Sequence, residues 1–258
     1  MAEGRITRGT TGVNRLRRVD RWIGTLPALR LASDPLVVDL GYGASATTSL
    51  ELYRRLAKIR PDIEVIGVEI DPARVELASR DARPGVSFRL GGFEVPLPGG
   101  RQATIIRAMN VLRQYDESEV ASNWERMLAR LQPGGALVEG TCNETGRVCS
   151  WVTLTSTGPK LFTVSLRLAE LDKPSIVAER LPKVLIHRNV PGEHIHRFLE
   201  DLDRIWQVNS PLSVYGPSQR WIATAQGMRG AGWPIEGTKS RWRLGELSVR
   251  WESIAPVS

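Results

Sequence analysis

A turn with two glycines follows the apolar run that opens at Leu36, and it could bring a ligand close to the backbone. Gly41 and Gly43 carry no Cβ, so a ligand can approach the main chain there. The helical pattern that follows would direct its unpaired N–H groups at the same ligand. Asp39 adds a carboxylate just before the turn. This combination predicts a nucleotide-like ligand before it indicates which one.

The elements around this turn alternate between strand and helix patterns. We predict parallel strands over 36–40, 64–70, 86–90, 103–106 and 136–140, with helices over 46–59 and 117–131. A strand, a helix and a strand within about thirty-five residues form a βαβ unit with a right-handed crossover. The ends of the first two strands then lie side by side, so Gly41, Gly43 and Glu69 face one crevice.

The second half of the chain has a different period. Alternating apolar and polar residues over 162–168 predict a half-buried antiparallel strand. The apolar spacing of 195–206 predicts an amphipathic helix, and a further helix is expected over 221–228. Closing strands at the sheet edge are expected around Trp242 and Val249.

The start of the chain is rich in arginine. It reads as a basic segment that leads into a short amphipathic helix, whose Trp22 face packs on the domain. An arm that folds over the ligand or touches an anionic substrate is the alternative. We therefore expect a basic arm or helix over 1–33 and a single domain over 34–258.

The composition fits a soluble, basic α/β protein. The 258 residues carry a formal net charge of +7 and 41% of them are hydrophobic. An arginine excess suits a phosphate-rich partner such as RNA, and a GC-rich genome would produce it equally well. We expect a cytoplasmic protein without membrane contact, because no apolar run could span a bilayer and the basic start lacks the apolar stretch of a secretory signal. No oligomeric state is predicted.

By itself, the glycine turn fits two ligand classes imperfectly. Residues 41–46 supply the G-x-G-x-x-A spacing of a dinucleotide site. They also supply the two glycines, preceded by Asp39, of a methyl-donor site, with Ser45 where a third glycine is usual. The surrounding segments decide between the two.

Four segments between residues 35 and 140 resemble, in the right order, the class I S-adenosylmethionine-dependent methyltransferases. They are 38–43, 68–71, 110–113 and 128–137, the last of which contains the sequence Pro-Gly-Gly. The resemblance implies the Rossmann-like methyltransferase fold, an α/β fold whose seven-stranded, mostly parallel sheet has helices on both faces and antiparallel closing strands. It also implies a donor-binding half over 34–140, with acceptor-side and closing elements over 141–258.

The resemblance implies S-adenosylmethionine as the cofactor and gives roles to particular residues. Glu69 would accept hydrogen bonds from both ribose hydroxyls, and the glycine turn with Asp39 would surround the methionine end. The chain departs from the family at 91–94, where Gly-Gly-Phe-Glu replaces the common Gly-Asp pair. The contact to the adenine amino group must therefore come from the backbone or from Glu94. The predicted cofactor-binding residues are Asp39, Gly41, Tyr42, Gly43, Glu69, Ile70, Gly92, Phe93 and Asn110.

No catalytic residue stands out, because methyl transfer depends on placing the acceptor in line with the methyl group and a dedicated base is optional. His187 is the one base candidate near neutral pH. Thr141-Cys142 resembles the Thr-Cys nucleophile of RNA cytosine-C5 methyltransferases, but the partner Pro-Cys is missing and a small buried thiol is the simpler interpretation. We expect no metal, since the cysteines and histidines follow no zinc spacing.

Arg107, Arg113 and Arg188 are the predicted acceptor-side residues, and they favour an anionic or phosphorylated acceptor. The sequence thus predicts an S-adenosylmethionine-dependent methyltransferase whose acceptor is either a small anionic molecule or RNA. Two alternatives from other classes stay open. One is a donor-binding or nucleic-acid-binding module of the same fold without transferase activity, and the other is an NAD-dependent oxidoreductase.

Overall fold

A mixed sheet forms the centre of the computed structural model, which describes residues 2–9 and 12–257. In these residues the sheet has nine strands in the order β3-β2-β1-β4-β5-β6-β7-β9-β8. The strands are β1 (Leu36–Leu40), β2 (Glu64–Glu69), β3 (Val86–Leu90), β4 (Ala103–Met109), β5 (Leu131–Cys142), β6 (Val148–Thr155), β7 (Gly158–Leu166), β8 (Ile235–Glu236) and β9 (Glu246–Arg250). The α-helices are α1 (Arg17–Ile23), α2 (Pro27–Leu31), α3 (Thr47–Leu56), α4 (Pro72–Ser79), α5 (Val120–Leu128), α6 (Lys183–Ile186), α7 (His194–Val208), α8 (Pro217–Gly230) and α9 (Lys239–Trp242).

The sheet has a parallel half and an antiparallel half. β1 to β5 pair in parallel, and β6 to β9 continue the sheet in antiparallel pairs. β1 reads Leu-Val-Val-Asp-Leu and is buried throughout, as is typical of a parallel strand with helices on both faces. Side chains of α1, α2 and α3 pack on one face, and those of α5, α7 and α8 pack on the other. The strand order reverses between β1 and β4, and open α/β sheets bind ligands beyond the strand ends at such a point.

Most predicted strands agree with the structure, and the differences have physical causes. β1 and β3 have the predicted bounds, and the antiparallel strand predicted over 162–168 is β7. β6 lies outside the predicted elements because Ser150 and Thr153 interrupt its apolar run, although both are buried. Among the described residues the sheet has nine strands, two more than the seven that the resemblance implies.

The end of the chain departs further from its prediction. The expected strand around Trp242 is wrong, because this residue lies in the short helix α9. The closing strands are β8 and β9, and Val249 pairs with Ile235 between them. A short apolar run cannot be assigned to a strand or to a helical turn by its period alone.

β4 and α5 also differ from their predicted lengths. β4 continues past the predicted end at residue 106 to Met109, because Arg107 is fully buried within the strand. The helix predicted over 117–131 begins as a 3₁₀ turn at Glu117–Glu119, which Asp116 and Glu119 stabilise as a capping box. The α-helical part ends at Leu128, close to the start of β5.

The basic helix predicted near the N-terminus is α1, and it packs on the sheet. Trp22 is 6% exposed and meets Trp151 of β6 edge-on, with ring centroids 5.6 Å apart. Asp20 of the same helix is fully buried as well. α1 therefore belongs to the folded domain. None of the described helices combines the length and the apolar character that crossing a membrane requires.

Candidate functional site

The glycine turn lies at the carboxyl end of β1, where β2 and β4 flank the strand. Gly41 has φ of 68°, and a Cβ there would lie 2.6 Å from Cγ2 of Val111. Its N–H donates to the carbonyl of Val68 at 2.7 Å, which ties the turn to β2. Gly43 also has a positive φ, of 88°. This backbone conformation explains why glycine occupies both positions.

Glu69 lies at the end of β2 and faces the turn. Its carboxylate is 1% exposed and accepts hydrogen bonds from the N–H of Gly43 and the N–H of Ile70, each at 3.0 Å. Arg74 supplies a cation 3.6 Å away. Because each carboxylate oxygen has a second lone pair, Glu69 keeps accepting capacity for the two hydroxyls of a ribose. Glu69 therefore fits the ribose of a methyl donor.

Asp39 has a structural role under the turn. One carboxylate oxygen accepts from the hydroxyls of Thr48 and Ser49 in the first turns of α3, at 2.9 and 2.8 Å. The carboxylate also pairs with Arg107, whose Nη2 lies 2.6 Å from Oδ2. These contacts fix the start of α3 against the end of β1. Asp39 lines the larger of two cavities at this edge of the sheet, but its oxygens already accept hydrogen bonds from Thr48, Ser49 and Arg107.

Arg107, a predicted acceptor-side residue, is buried beneath the glycine turn. Its guanidinium is 0% exposed and pairs with both Asp20 of α1 and Asp39. Asp20 also accepts from Arg55 at 2.6 Å. Burial lowers the pKa of Arg107, but the carboxylates of Asp39 and Asp20 raise it by more, so the pKa lies above the ordinary value for arginine. The buried position follows from these pairs, which a single sequence does not reveal.

Two neighbouring cavities lie along the carboxyl ends of the parallel strands. The larger has a volume of about 550 Å³ and the smaller of about 20 Å³, and Thr7 and Gly41 line both. All nine predicted cofactor-binding residues line one or the other. Asp39, Gly41, Tyr42, Gly43 and Asn110 line the larger, while Gly41, Glu69, Ile70, Gly92 and Phe93 line the smaller.

Asn110 and Cys142 form a joined pair on the wall of the larger cavity. Asn110 follows β4 in the left-handed conformation, with φ of 62°. Its side-chain oxygen accepts from the N–H of Cys142 at 2.9 Å, and its amide nitrogen lies 3.3 Å from the Cys142 sulfur. Cys149 lies opposite Cys142 on β6. Its hydrogen bond is the main cause of the lowered pKa of Cys142, whereas burial acts to raise that pKa. The pair joins the ends of β4 and β5.

Four arginines, Arg8, Arg15, Arg113 and Arg180, line the larger cavity. Arg15 is 8% exposed and donates to the carbonyls of Asn143 and Cys142, and Arg8 belongs to the N-terminal segment, so we call only Arg113 and Arg180 the mouth arginines. The carboxylate of Glu144, which also lines this cavity, lies 3.5 Å from Arg180. Burial and the nearby Arg180 lower the pKa of Arg113. Of these residues, Arg113 is a predicted acceptor-side residue, and Arg8 and Arg15 lie in the basic start for which the sequence offers an arm on an anionic substrate as the alternative. Glu144 lies in the β5–β6 turn and Arg180 in the segment before α6, and neither carries a motif.

Two further predicted residues lie outside the cavity walls. Arg188 pairs with Glu117 at 2.9 Å and with Glu193 at 3.1 Å. His187 follows α6, and its ring lies 3.5 Å from the ammonium of Lys183. Neither lines the larger or the smaller cavity. Within the described residues, no group of three or more histidine, cysteine, aspartate or glutamate side chains could hold a metal ion.

The strand order and the position of the site together identify the fold. β3-β2-β1-β4-β5 is parallel, and the glycine turn and Glu69 meet where the order reverses. The next strand is antiparallel, whereas a dinucleotide-binding sheet continues with a second parallel half. The chain has a Rossmann-like α/β fold, as its resemblance to the class I methyltransferases implies. The NAD-dependent alternative is accordingly not favoured.

Solved structures of methyltransferases overlap part of this fold. Human N-acetylserotonin methyltransferase in complex with S-adenosylmethionine is 25% identical, with a TM-score of 0.35 over 48% of this chain and 35% of that chain. A methyltransferase from Leishmania major is 14% identical, with a TM-score of 0.36 over 50% of each chain. CcbJ from Streptomyces caelestis is 19% identical, with a TM-score of 0.37 over 61% of this chain and 68% of that one.

These overlaps are partial. The chain spans about a third to a half of the first two of these structures, and all three TM-scores lie below 0.5. No protein-family model and no curated protein matches the sequence.

Proposed function

We propose that the protein is an S-adenosylmethionine-dependent methyltransferase. The observation that carries the proposal is the fixed carboxylate of Glu69, which two backbone N–H groups hold against the glycine turn. When bound, the donor supplies an electrophilic methyl group on a sulfonium sulfur. Glu69 would hold the ribose hydroxyls, and the backbone of Gly41 and Gly43 would face the methionine end.

The reacting end of the donor would lie in the larger cavity. Asn110 and Cys142 wall that cavity beside the glycine turn, and their mutual hydrogen bonds hold both side chains in place. Such a rigid wall favours in-line placement of an acceptor, which supplies much of the rate of a displacement. The Cys142 side chain is 0% exposed and bonded to Asn110, so we assign it to this wall rather than to nucleophilic attack.

We further propose a small anionic acceptor. Guanidinium groups pair with carboxylate or phosphate through two parallel hydrogen bonds, and the mouth arginines outnumber the acidic Glu144 beside them. A volume of about 550 Å³ lies within the range of cavities that enclose small molecules. The net charge of +7 supports RNA as the second candidate acceptor, bound on the surface around the same mouth.

Calorimetry with S-adenosylhomocysteine and with NAD tests the donor site. We expect micromolar binding of S-adenosylhomocysteine and none of NAD. Glu69→Ala should lose this binding, because it removes the acceptor of the ribose hydroxyls. Glu76→Ala, which removes an exposed carboxylate on α4, is the matched control and should bind as the natural chain does. Binding of NAD without binding of S-adenosylhomocysteine would refute the proposal.

A further inference from the structure

Residues 2–9, which we call the gate segment, lie across the proposed donor site. The carbonyl of Gly9 accepts from the N–H of Ala44, just after the glycine turn, at 3.0 Å. The carbonyl of Thr7 accepts from Arg74 at 2.9 Å. At the other end, the carbonyl of Glu3 accepts from the N–H of Phe93 at 2.9 Å. The gate segment thus runs from the glycine turn to the loop after β3.

The backbone of Glu3 occupies the polar groups that could recognise adenine. Its N–H donates to Oε2 of Glu94 at 2.8 Å, while its carbonyl accepts from Phe93. One residue therefore presents a donor beside an acceptor, as adenine does with its amino group and the adjacent ring nitrogen. The sequence departs from the family in this loop and leaves the backbone or Glu94 to contact that amino group. The backbone N–H of Phe93 and the carboxylate of Glu94 are both hydrogen-bonded to Glu3.

The gate segment also fills the space beside the loop after β3. A Cβ on Gly92 would lie 1.9 Å from the carbonyl oxygen of Glu3, so glycine is required beneath the gate segment. Gly4 packs against Ile70, Phe93 and Tyr115, where its own Cβ would be 3.0 to 3.5 Å from their side chains. The smaller cavity that remains has about 20 Å³, enough for one water molecule. Adenine cannot enter while the gate segment is in place.

We propose that the gate segment is an intrasteric gate, which occupies the adenine end of the donor site and must leave before the donor binds. This inference rests on the proposed function, since it assigns the smaller cavity to adenine. The donor and the gate segment then compete for Phe93 and Glu94. Apparent donor affinity is lowered by the fraction of molecules in which the segment is seated.

The ion pairs that hold the gate segment are weak enough for the segment to leave the site. Arg5 pairs with Glu119 at 3.0 Å and Glu3 with Arg126 at 3.3 Å, and these side chains are between 34% and 59% exposed. Exposed pairs of this kind contribute little and weaken with salt. The N–H of Arg5 also donates to the hydroxyl of Tyr115. A ligand that replaces the backbone bonds of Glu3 can therefore displace the segment.

Calorimetric titration of S-adenosylhomocysteine into three variants tests the gate. Removal of residues 2–9 should lower the dissociation constant about tenfold or more, as should Gly4→Val, whose side chain cannot fit beside Tyr115. Ile6→Ala is the matched control, because Ile6 is 59% exposed and lines neither cavity, and it should bind like the natural chain. Thermal unfolding of each variant confirms that it is folded.

The outcomes separate the gate from the donor site itself. Unchanged or weaker binding after removal of residues 2–9 would overturn the gate and leave the donor site intact. Absence of binding to the natural chain and to every variant would overturn the proposed function, and the gate with it. Trypsin supplies a second readout, since cleavage after Arg5 and Arg8 should accelerate with saturating S-adenosylhomocysteine. Slower cleavage would mean that the segment closes over the donor instead.

Discussion

The polar network under the glycine turn and the mouth of the larger cavity use arginine in opposite ways. Arg107 is enclosed by Asp20 and Asp39, so its charge is neutralised and directed inward. At the mouth, Arg113 donates to the carbonyl of Glu179, and the carboxylate of Glu144 lies 3.5 Å from Arg180. Paired charge stabilises the fold, whereas charge in excess of its partners can bind a ligand. Residue type alone does not separate these two uses.

The largest expected effect comes from breaking the enclosed charge. Arg107→Gln leaves Asp20 and Asp39 buried without their shared cation, and loss of one member of a buried pair costs about 3–5 kcal/mol. Urea unfolding should show a loss of this size. Arg113→Gln, the matched substitution at the mouth, should change stability by less than about 1 kcal/mol. Equal losses in the two variants would contradict the comparison.

Glu139 provides a third kind of charged residue, buried but poorly partnered. It lies in the middle of β5, and neither carboxyl oxygen has a well-formed hydrogen bond within the described residues. Burial raises its pKa to about 8, although the nearby Trp124 indole partly opposes this. The protonated form is thus favoured in the folded protein at pH values where the unfolded chain has already lost the proton.

Stability should therefore fall as the pH rises. The loss begins near the ordinary pKa of 4.5 and continues to about pH 8. Its slope is at most about 1.4 kcal/mol per pH unit. Urea unfolding at pH 5, 6.5 and 8 measures it. Glu139→Gln, which cannot ionise, should flatten the slope, and a slope that persists in this variant would assign it to other groups.

The smallest expected effect concerns anion binding at the mouth. Inorganic phosphate should raise the melting temperature of the natural chain, and the double variant Arg113→Gln/Arg180→Gln should bind phosphate about tenfold more weakly. Arg188→Gln is the control, because Arg188 already pairs with Glu117 and Glu193. A double variant that responds to phosphate like the natural chain would remove the anionic-acceptor proposal.

The donor half of the fold could be predicted because its signals are local. β1 is a short apolar run, and the turn needs glycine at position 41 for a backbone reason. A parallel βαβ unit then brings Glu69 to the same edge by geometry alone. The predicted cofactor-binding residues, each of which lines one of the two cavities, were accordingly within reach of sequence reasoning.

The mouth could not be predicted in the same way. Arg113 and Arg180 come from segments far apart in the chain, and only the folded structure brings them to one cavity. The burial of Arg107 was not predicted for the converse reason, since an arginine is expected at the surface unless its partners are known. Those partners, on α1 and β1, become visible only after folding.

The packing of α1 sets the strength of the proposed gate. Because α1 is anchored through Trp22 and Asp20, the gate segment that precedes it acts as a tethered ligand. A short tether gives such a ligand an effective concentration on the order of millimolar, whatever the protein concentration. A free peptide of the same sequence, added to the protein that lacks residues 2–9, should therefore reach the occupancy of the tethered segment only near that concentration. The donor is free in solution, so its ability to displace the gate segment depends on its concentration. The gate segment therefore raises the donor concentration that is needed to fill the donor site.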